Sequence, residues 1–209
     1  MMRTGYQQKE MSKEDAIIEA ATRLFLSKGF SGVSMEEIAK GSSVAKQTLY
    51  SYFKGKDDLF RAIIHAQAED FFAMLPRNDD PSVSIEEFLY QVGKAAMNML
   101  FTRDTLELYR LAVAETPRFP EIGELYWQTG PQALIERMVE FLKNHGLTED
   151  SAEKASEQFL SLIVGHMLSL ALLRKNYHPT RKEKEEHVAQ AVSIFFKINK
   201  YRDKERQAP

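Results

Sequence analysis

The chain contains no cysteine. Disulfides, thiolate nucleophiles and cysteine metal sites are therefore excluded, and the composition agrees with a reducing compartment. Histidine is also sparse: His65, His145, His166, His178 and His187 are scattered, and no two stand at metal-ligand spacing. Neither a glycine-rich phosphate loop nor a nucleophile elbow occurs, so an enzyme is not indicated and no cofactor or metal is expected. A basic excess is missing too. The formal net charge of −2 would be odd for a protein that coats nucleic acid over its whole surface, but not for one that presents a single basic patch. Long apolar runs are absent: the longest, Leu162–Leu173, is too short for a bilayer span and contains His166. The polar stretch Met1–Asp15 has no apolar centre of the kind a secretion signal needs. These absences together lead us to expect a cytoplasmic protein without membrane contact.

What is present is globular and helical. Hydrophobic residues make up 44% of the 209 and charged ones 28%, ordinary values for a packed domain. Every long segment carries the helical period, and no strand alternation persists. Ser12 with Asp15 predicts a capping box, and Gly29 a stop, for a first helix. Two short elements follow, Ser34–Lys40 and about Ala45–Phe53, then a longer helix from Lys56 to about Leu75 with acidic residues in its first turn. The turn-rich PRNDDP, Pro76–Pro81, is the best candidate boundary. Beyond it the pattern predicts a helix capped by Ser84 and Glu87, one from Arg103 to Pro117, and one over Glu121–Asn144 bent at Gly130-Pro131. Two more run from Thr148 to Arg174, and from a Thr180–Glu183 cap to about Tyr201. The expectation is an all-α chain of about nine helices. It divides into an amino-terminal reading head (1–55), a connecting helix (56–75) and a carboxy-terminal helical domain (76–209).

One stretch departs from the chain's average. Between Lys40 and Lys56 lie four lysines, three aromatics and no acid, a local charge of +4, leaving −6 for the remainder. Two short helices joined by the tight GSSV turn would direct Ile38, Ala39, Val44, Leu49 and Phe53 inward, against Leu24, Phe25 and Phe30. Lys46, Gln47, Thr48, Tyr50, Ser51 and Tyr52 are then left outward. Solvent alone does not favour two exposed tyrosines beside lysines. Phenol and ammonium groups hold phosphates, while Gln and Thr read base edges in a major groove. A short helix after a tight turn is the helix-turn-helix arrangement.

SMEEIAKGSSVAKQTLYSYFKGKDDLF, Ser34–Phe60, resembles the DNA-binding segment of the TetR family of bacterial transcriptional regulators; with the first helix the match spans residues 12–60. ELYRLAVAETPRFPEIGELYWQTGP resembles, more loosely, the ligand-binding domain of one branch of that family. The resemblance implies that Gln47, Thr48 and Tyr50 approach bases or backbone, that Lys46 lies beside them, and that Ser34, Ser51, Tyr52 and Lys56 hold phosphates. Where the family has Ala-Gly-Val-Ser, this chain has Ser42-Ser43-Val44-Ala45. A serine at the turn-glycine position is expected to accept a left-handed backbone at a cost of about 1 kcal/mol. Ala45 lacks the hydroxyl that would cap the recognition helix, leaving Ser42 or Ser43 as substitutes.

The resemblance also implies a homodimer on a palindromic double-stranded DNA operator, released by a small apolar or aromatic inducer, with repression as the default. Apolar stripes on the last two helices make Phe159, Ile163, Met167, Leu170, Val188, Val192, Phe195 and Phe196 the expected interface, with Gly165 permitting close approach. The alternative for these stripes is internal core. For the inducer cavity the expectation is Phe71, Met74, Met97, Phe101, Tyr109, Glu115, Trp127, Met138 and His166. Methionines at helical spacing are ordinarily core, and His166 on an apolar helix is more often a satisfied core histidine. The rival reading of the whole chain is a helical partner-binding adaptor without DNA activity. Such a protein would bind its partner without the steep salt dependence of a phosphate-gripping one.

Overall fold

The computed structural model describes residues 12–174 and 176–199, and all regular structure among them is helical. The amino-terminal residues up to 11, the expected end of the last helix near Tyr201 and the charged tail lie outside the described residues. Among the described residues ten α-helices are present: α1 (Lys13–Lys28), α2 (Met35–Gly41), α3 (Lys46–Tyr52), α4 (Lys56–Ala73), α5 (Ile85–Leu100), α6 (Arg103–Glu115), α7 (Pro120–Trp127), α8 (Ala133–Asn144), α9 (Glu149–Leu173) and α10 (Arg181–Asn199). A π turn, Gln128–Gln132, joins α7 to α8 at the expected Gly130-Pro131 bend. With that joined pair counted as one bent helix, the number is the nine expected. Pro131 has no N–H to give to a regular ladder, and the widened turn absorbs the loss.

Local chemistry sets the helix ends. Ser12 and Asp15 close a reciprocal capping box on α1, and Ser34 and Glu37 do the same on α2. Thr180 and Glu183 exchange the equivalent bonds at the start of α10. At α5 the box is half made: the Ser84 hydroxyl accepts from Glu87 N, while the Glu87 carboxylate binds Gln91 instead. Gly29 ends α1 at φ 76°, a conformation glycine adopts without a Cβ penalty.

Two hydrophobic cores form, and they do not divide at Pro76–Pro81. The first joins α1, α2, α3 and the leading half of α4 to Leu108 and Ala112 of α6 and Ile122 and Leu125 of α7. The second holds Phe71 and the buried faces of α5, α8, α9 and α10, with Phe88 stacked on Phe141 at 3.7 Å. The helix α4 crosses from one core to the other. The PRNDDP segment is a fixed turn: Arg137 donates to Pro76 O at 2.7 Å, and Asn78 donates to Arg137 O at 3.2 Å. Gly93 is where α5 meets α9 and α10 most closely, since a Cβ there would lie 2.8 Å from Val188 and 2.9 Å from Ile163.

The dimer expectation needs revision at the level of residues. Phe159, Ile163, Met167, Val188, Val192 and Phe195 are buried in this chain's own second core. Leu170 and Phe196 are half-buried. The reason is periodicity: α9 is apolar nearly all round, and the face carrying Ile163, Met167 and Ala171 turns inward. The opposite face, with Ser161, Gly165, Ser169 and Leu173, is exposed. By length and composition α9 is also apolar enough to cross a membrane, which the shorter Leu162–Leu173 run did not suggest.

Candidate nucleic-acid interface and ligand cavity

The recognition element is built on one buried anchor. Leu49 is fully buried beneath α3, with Ile38 and Phe53 beside it, so one face of this two-turn helix is fixed and the other is presented. On the presented face Tyr50 is 44% and Tyr52 47% exposed, and Lys46, Gln47 and Ser51 are exposed as well. Thr48 is half-buried. Ser43 has φ 57°, the only positive φ at a non-glycine among the described residues, so serine does accept the left-handed turn. Ala45 is the N-cap of α3 and no side chain caps it. Neither expected substitute acts: the Ser42 hydroxyl donates back to Ile38 O at 2.7 Å, on α2.

Several expected phosphate-binding groups already have partners within the head. The Ser34 hydroxyl accepts from Glu37 N and donates to its carboxylate, completing the α2 cap. Ser51 donates to Thr48 O at 2.6 Å. Lys56 directs its ammonium onto Phe30 O at 2.8 Å and over the Phe30 ring, pinning the α1–α2 turn to the start of α4. Lys46 pairs with Glu36, whose carboxyl is held below its ordinary range first by that hydrogen bond. Both partners are exposed, and such a pair is worth little in water. Glu37 is pulled down to about 2, first by Lys28 and then by Ser34.

The cavity lies between α4, α5, α6, α7, the π turn, α8 and α9, with a volume of about 380 Å³. Of the nine expected lining residues, Phe71, Tyr109 and Trp127 are there. The other six are elsewhere. Met97 and Met138 are fully buried in the second core, as methionines at helical spacing ordinarily are, and Met74 is 61% exposed after the end of α4. Phe101 packs edge-on against Tyr177. His166 is exposed on the outer face of α9, neither ligand nor core. Glu115 reaches the head: its carboxylate accepts from Phe30 N at 3.1 Å, Ser31 N at 3.5 Å and the Ser31 hydroxyl at 3.1 Å. Tyr126 lines the cavity as well, and the sequence reading missed Gln67, Thr105 and the stripe Leu160, Val164 and Leu168. The i, i+4, i+8 spacing of that stripe marks it as apolar without saying which element or gap it faces. Tyr126 is largely buried, and loss of solvent, with Tyr109 nearby, pushes its phenol pKa up. Among the described residues no group of acidic or histidine side chains is placed to hold a metal.

Comparison with known proteins agrees with this geometry. Residues 17–63 match the model of the bacterial regulatory proteins of the TetR family, and residues 87–200 match the AefR-like transcriptional repressor carboxy-terminal domain. The HTH-type transcriptional regulator YhgD of Bacillus subtilis is 26% identical over 83% of this chain and 90% of its own. The biofilm operon negative regulator IcaR of Staphylococcus epidermidis is 33% identical over 78 residues, 37% of this chain and 42% of its own. The solved structure of the flavonoid-responsive regulator FrrA is 32% identical and superposes with a TM-score of 0.73 over 89% of this chain and 96% of that one. A helix-turn-helix head with an exposed phenol-and-lysine face, a helical cavity domain, and matches spanning both identify the chain as a DNA-binding transcriptional regulator that belongs to the TetR family.

Proposed function

We propose that this regulator is a homodimeric repressor that grips a palindromic operator and releases it when a small molecule fills the cavity. One observation carries the DNA-binding reading: the α3 face bearing Gln47, Tyr50 and Tyr52 is free of the core while Leu49 anchors the helix beneath it. A head this small makes few contacts, and reading two half-sites with two copies supplies the rest. The outer face of α9 supports the pairing. It carries the small residues Ser161, Gly165 and Ser169 beside Leu173 at 86% exposure, and at Gly165 a Cβ would meet nothing within 4 Å. Repression is supported by the AefR-like repressor match and by the negative regulator IcaR. Response to a small molecule is supported by the cavity and by the likeness to FrrA. A DNA partner places the work in the cytoplasm.

Selection of bound sequences from random DNA tests this reading, and a palindrome is the expected result. Replacing Tyr50 and Tyr52 by Ala abolishes binding while the circular dichroism spectrum stays unchanged; retained binding removes the assignment of α3. Affinity for the selected site falls steeply as salt rises, since several phosphates exchange counterions. A Gly165→Glu variant runs as a monomer in sedimentation and loses operator affinity. Salt-independent binding to protein partners would favour the adaptor instead.

A further inference from the structure

Resting on the ligand-responsive reading of this cavity, we infer that its ligand is an uncharged ring compound carrying hydroxyl or carbonyl oxygens, and that charged analogues of the same shape are rejected. The lining contains no lysine, arginine, histidine, aspartate or glutamate among the described residues. This holds on every wall. The helix α4 contributes Gln67 as its polar group, α6 contributes Thr105 and Tyr109 with Thr116 just past its end, α7 contributes Tyr126, and the α5, α8 and α9 walls are apolar. A carboxylate or ammonium entering here loses its water and meets no counter-charge, a cost that apolar contacts of a small molecule do not offset.

The polar groups decide the rest. The Thr105 hydroxyl accepts from the Thr102 hydroxyl and the Thr116 hydroxyl donates to Ala112 O, so both have a partner within the chain. No hydrogen bond within the chain engages the Tyr109 or Tyr126 hydroxyl or the Gln67 amide among the described residues, and the two rings meet edge-on at 5.5 Å. Two phenols and an amide in an otherwise apolar cavity fix orientation through neutral donors and acceptors. Tyr126, its ionisation further disfavoured by burial, serves as a phenol rather than a phenolate. Trp127 offers a flat wall at the mouth.

The test uses the full-length protein and its single tryptophan, Trp127, which lines the cavity. N-Phenylnaphthylamine, a neutral fluorophore excited by transfer from tryptophan, is bound first. Para-hydroxybiphenyl, para-carboxybiphenyl and para-aminomethylbiphenyl, alike in shape, are then used to displace it. The hydroxyl compound is expected to compete at least tenfold better than either ion at neutral pH. Because only its protonated form fits, the carboxylic acid gains about tenfold in apparent affinity for each unit that pH falls toward its own pKa, while the hydroxyl compound stays flat. Gln67→Lys, which gives the carboxylate a partner, raises its affinity at neutral pH. Tyr126→Phe weakens the hydroxyl compound but not unsubstituted biphenyl. Equal competition by the ions, or a pH-independent acid, overturns the inference and leaves the cavity reading intact. A probe that fails to bind overturns the cavity reading, while operator binding, measured separately, still judges the head.

Discussion

Replacing Glu115 by Ala tests the contact by which α6 holds the reading head. The Glu115 carboxylate accepts three hydrogen bonds across more than 80 residues of sequence, from Phe30 N, Ser31 N and the Ser31 hydroxyl. Hydrogen bonds to a charged acceptor contribute about 1.5–3 kcal/mol each when well formed. They do not all count here. Ser31 is exposed, so water replaces the carboxylate for two of the donors, and the contact at 3.5 Å is long. Phe30 is buried, its ring packed against Phe25, Phe60 and Phe119, so its N–H is the donor left poorly satisfied. The expected loss is therefore about 2–3 kcal/mol, seen as a drop in melting temperature of about 4–12 °C for a chain of this size. Glu115→Gln keeps one acceptor oxygen and loses about half as much. Calorimetric melting measures the first effect, and amide hydrogen exchange at Phe30 the second, since its protection falls in the Ala variant. A melting temperature within a degree of the parent, with unchanged exchange at Phe30, would refute the claim that Glu115 seats the head.

Three further perturbations probe the fold and the head. Ser43→Gly relieves a left-handed serine at about 1–2 kcal/mol and adds about 0.5–1 kcal/mol of glycine entropy cost, so melting should rise slightly; a fall would show that the Ser43 side chain stabilises the turn. Gly93→Ala presses a methyl group onto Val188 and Ile163 and should cost about 1–3 kcal/mol by overpacking. Adding Val188→Ala should recover part of it, and simple additivity of the two losses would speak against the close approach. The folded-state pKa of Glu37 lies at about 2, against an ordinary 4.5. Because it is lowered, the stabilisation it gives is complete above 4.5 and is lost as pH falls toward 2. A carboxyl titration followed by NMR should show that low midpoint, moving up in Lys28→Ala; a midpoint near 4.5 in the parent would remove the Lys28 contact.

The head was legible because its signals are local. Capping pairs three residues apart, a stop glycine and an outward row of Lys46, Gln47, Tyr50 and Tyr52 need no knowledge of distant sequence, and the helices fall close to where those signals put them. Even the left-handed turn residue was readable, from the position of Ser43 in the motif. The cavity was not legible to the same degree, because its walls come from seven separate segments and its lining is chosen by which side of each helix faces a gap. Periodicity marks a stripe as apolar without saying whether it meets another helix or an empty volume. Met97 and Met138 met other side chains, whereas Leu160, Val164 and Leu168, on the same kind of stripe, met the gap. Glu115 illustrates a second limit. Its partner lies 85 residues away, and nothing within α6 distinguishes a carboxylate aimed at a ligand from one aimed at the α1–α2 turn.

The way the cores are shared bears directly on how a filled cavity would reach the DNA. Ile64 and Ala112 belong to the core of the reading head and also line the cavity. Phe71, about two turns further along α4 from Ile64, lines the same cavity from the second core. A ligand in the cavity would thus rest against head residues themselves, with no relay through a long chain of contacts required. Occupancy alone is not sufficient. A molecule shifts the equilibrium only by the difference between its affinities for the DNA-bound and released arrangements, typically about 1–3 kcal/mol in systems of this kind. That difference must come from walls that move relative to one another, and here α4 and α6 are tied to the head while α8 and α9 are tied to the second core. The cavity sits across that division, with the π turn at its edge, so on the proposed mechanism a ligand that wedges the two groups apart would tilt the head. Two heads tilted in the proposed dimer would change their separation, and a half-site spacing fixed by the helical repeat of DNA tolerates little change.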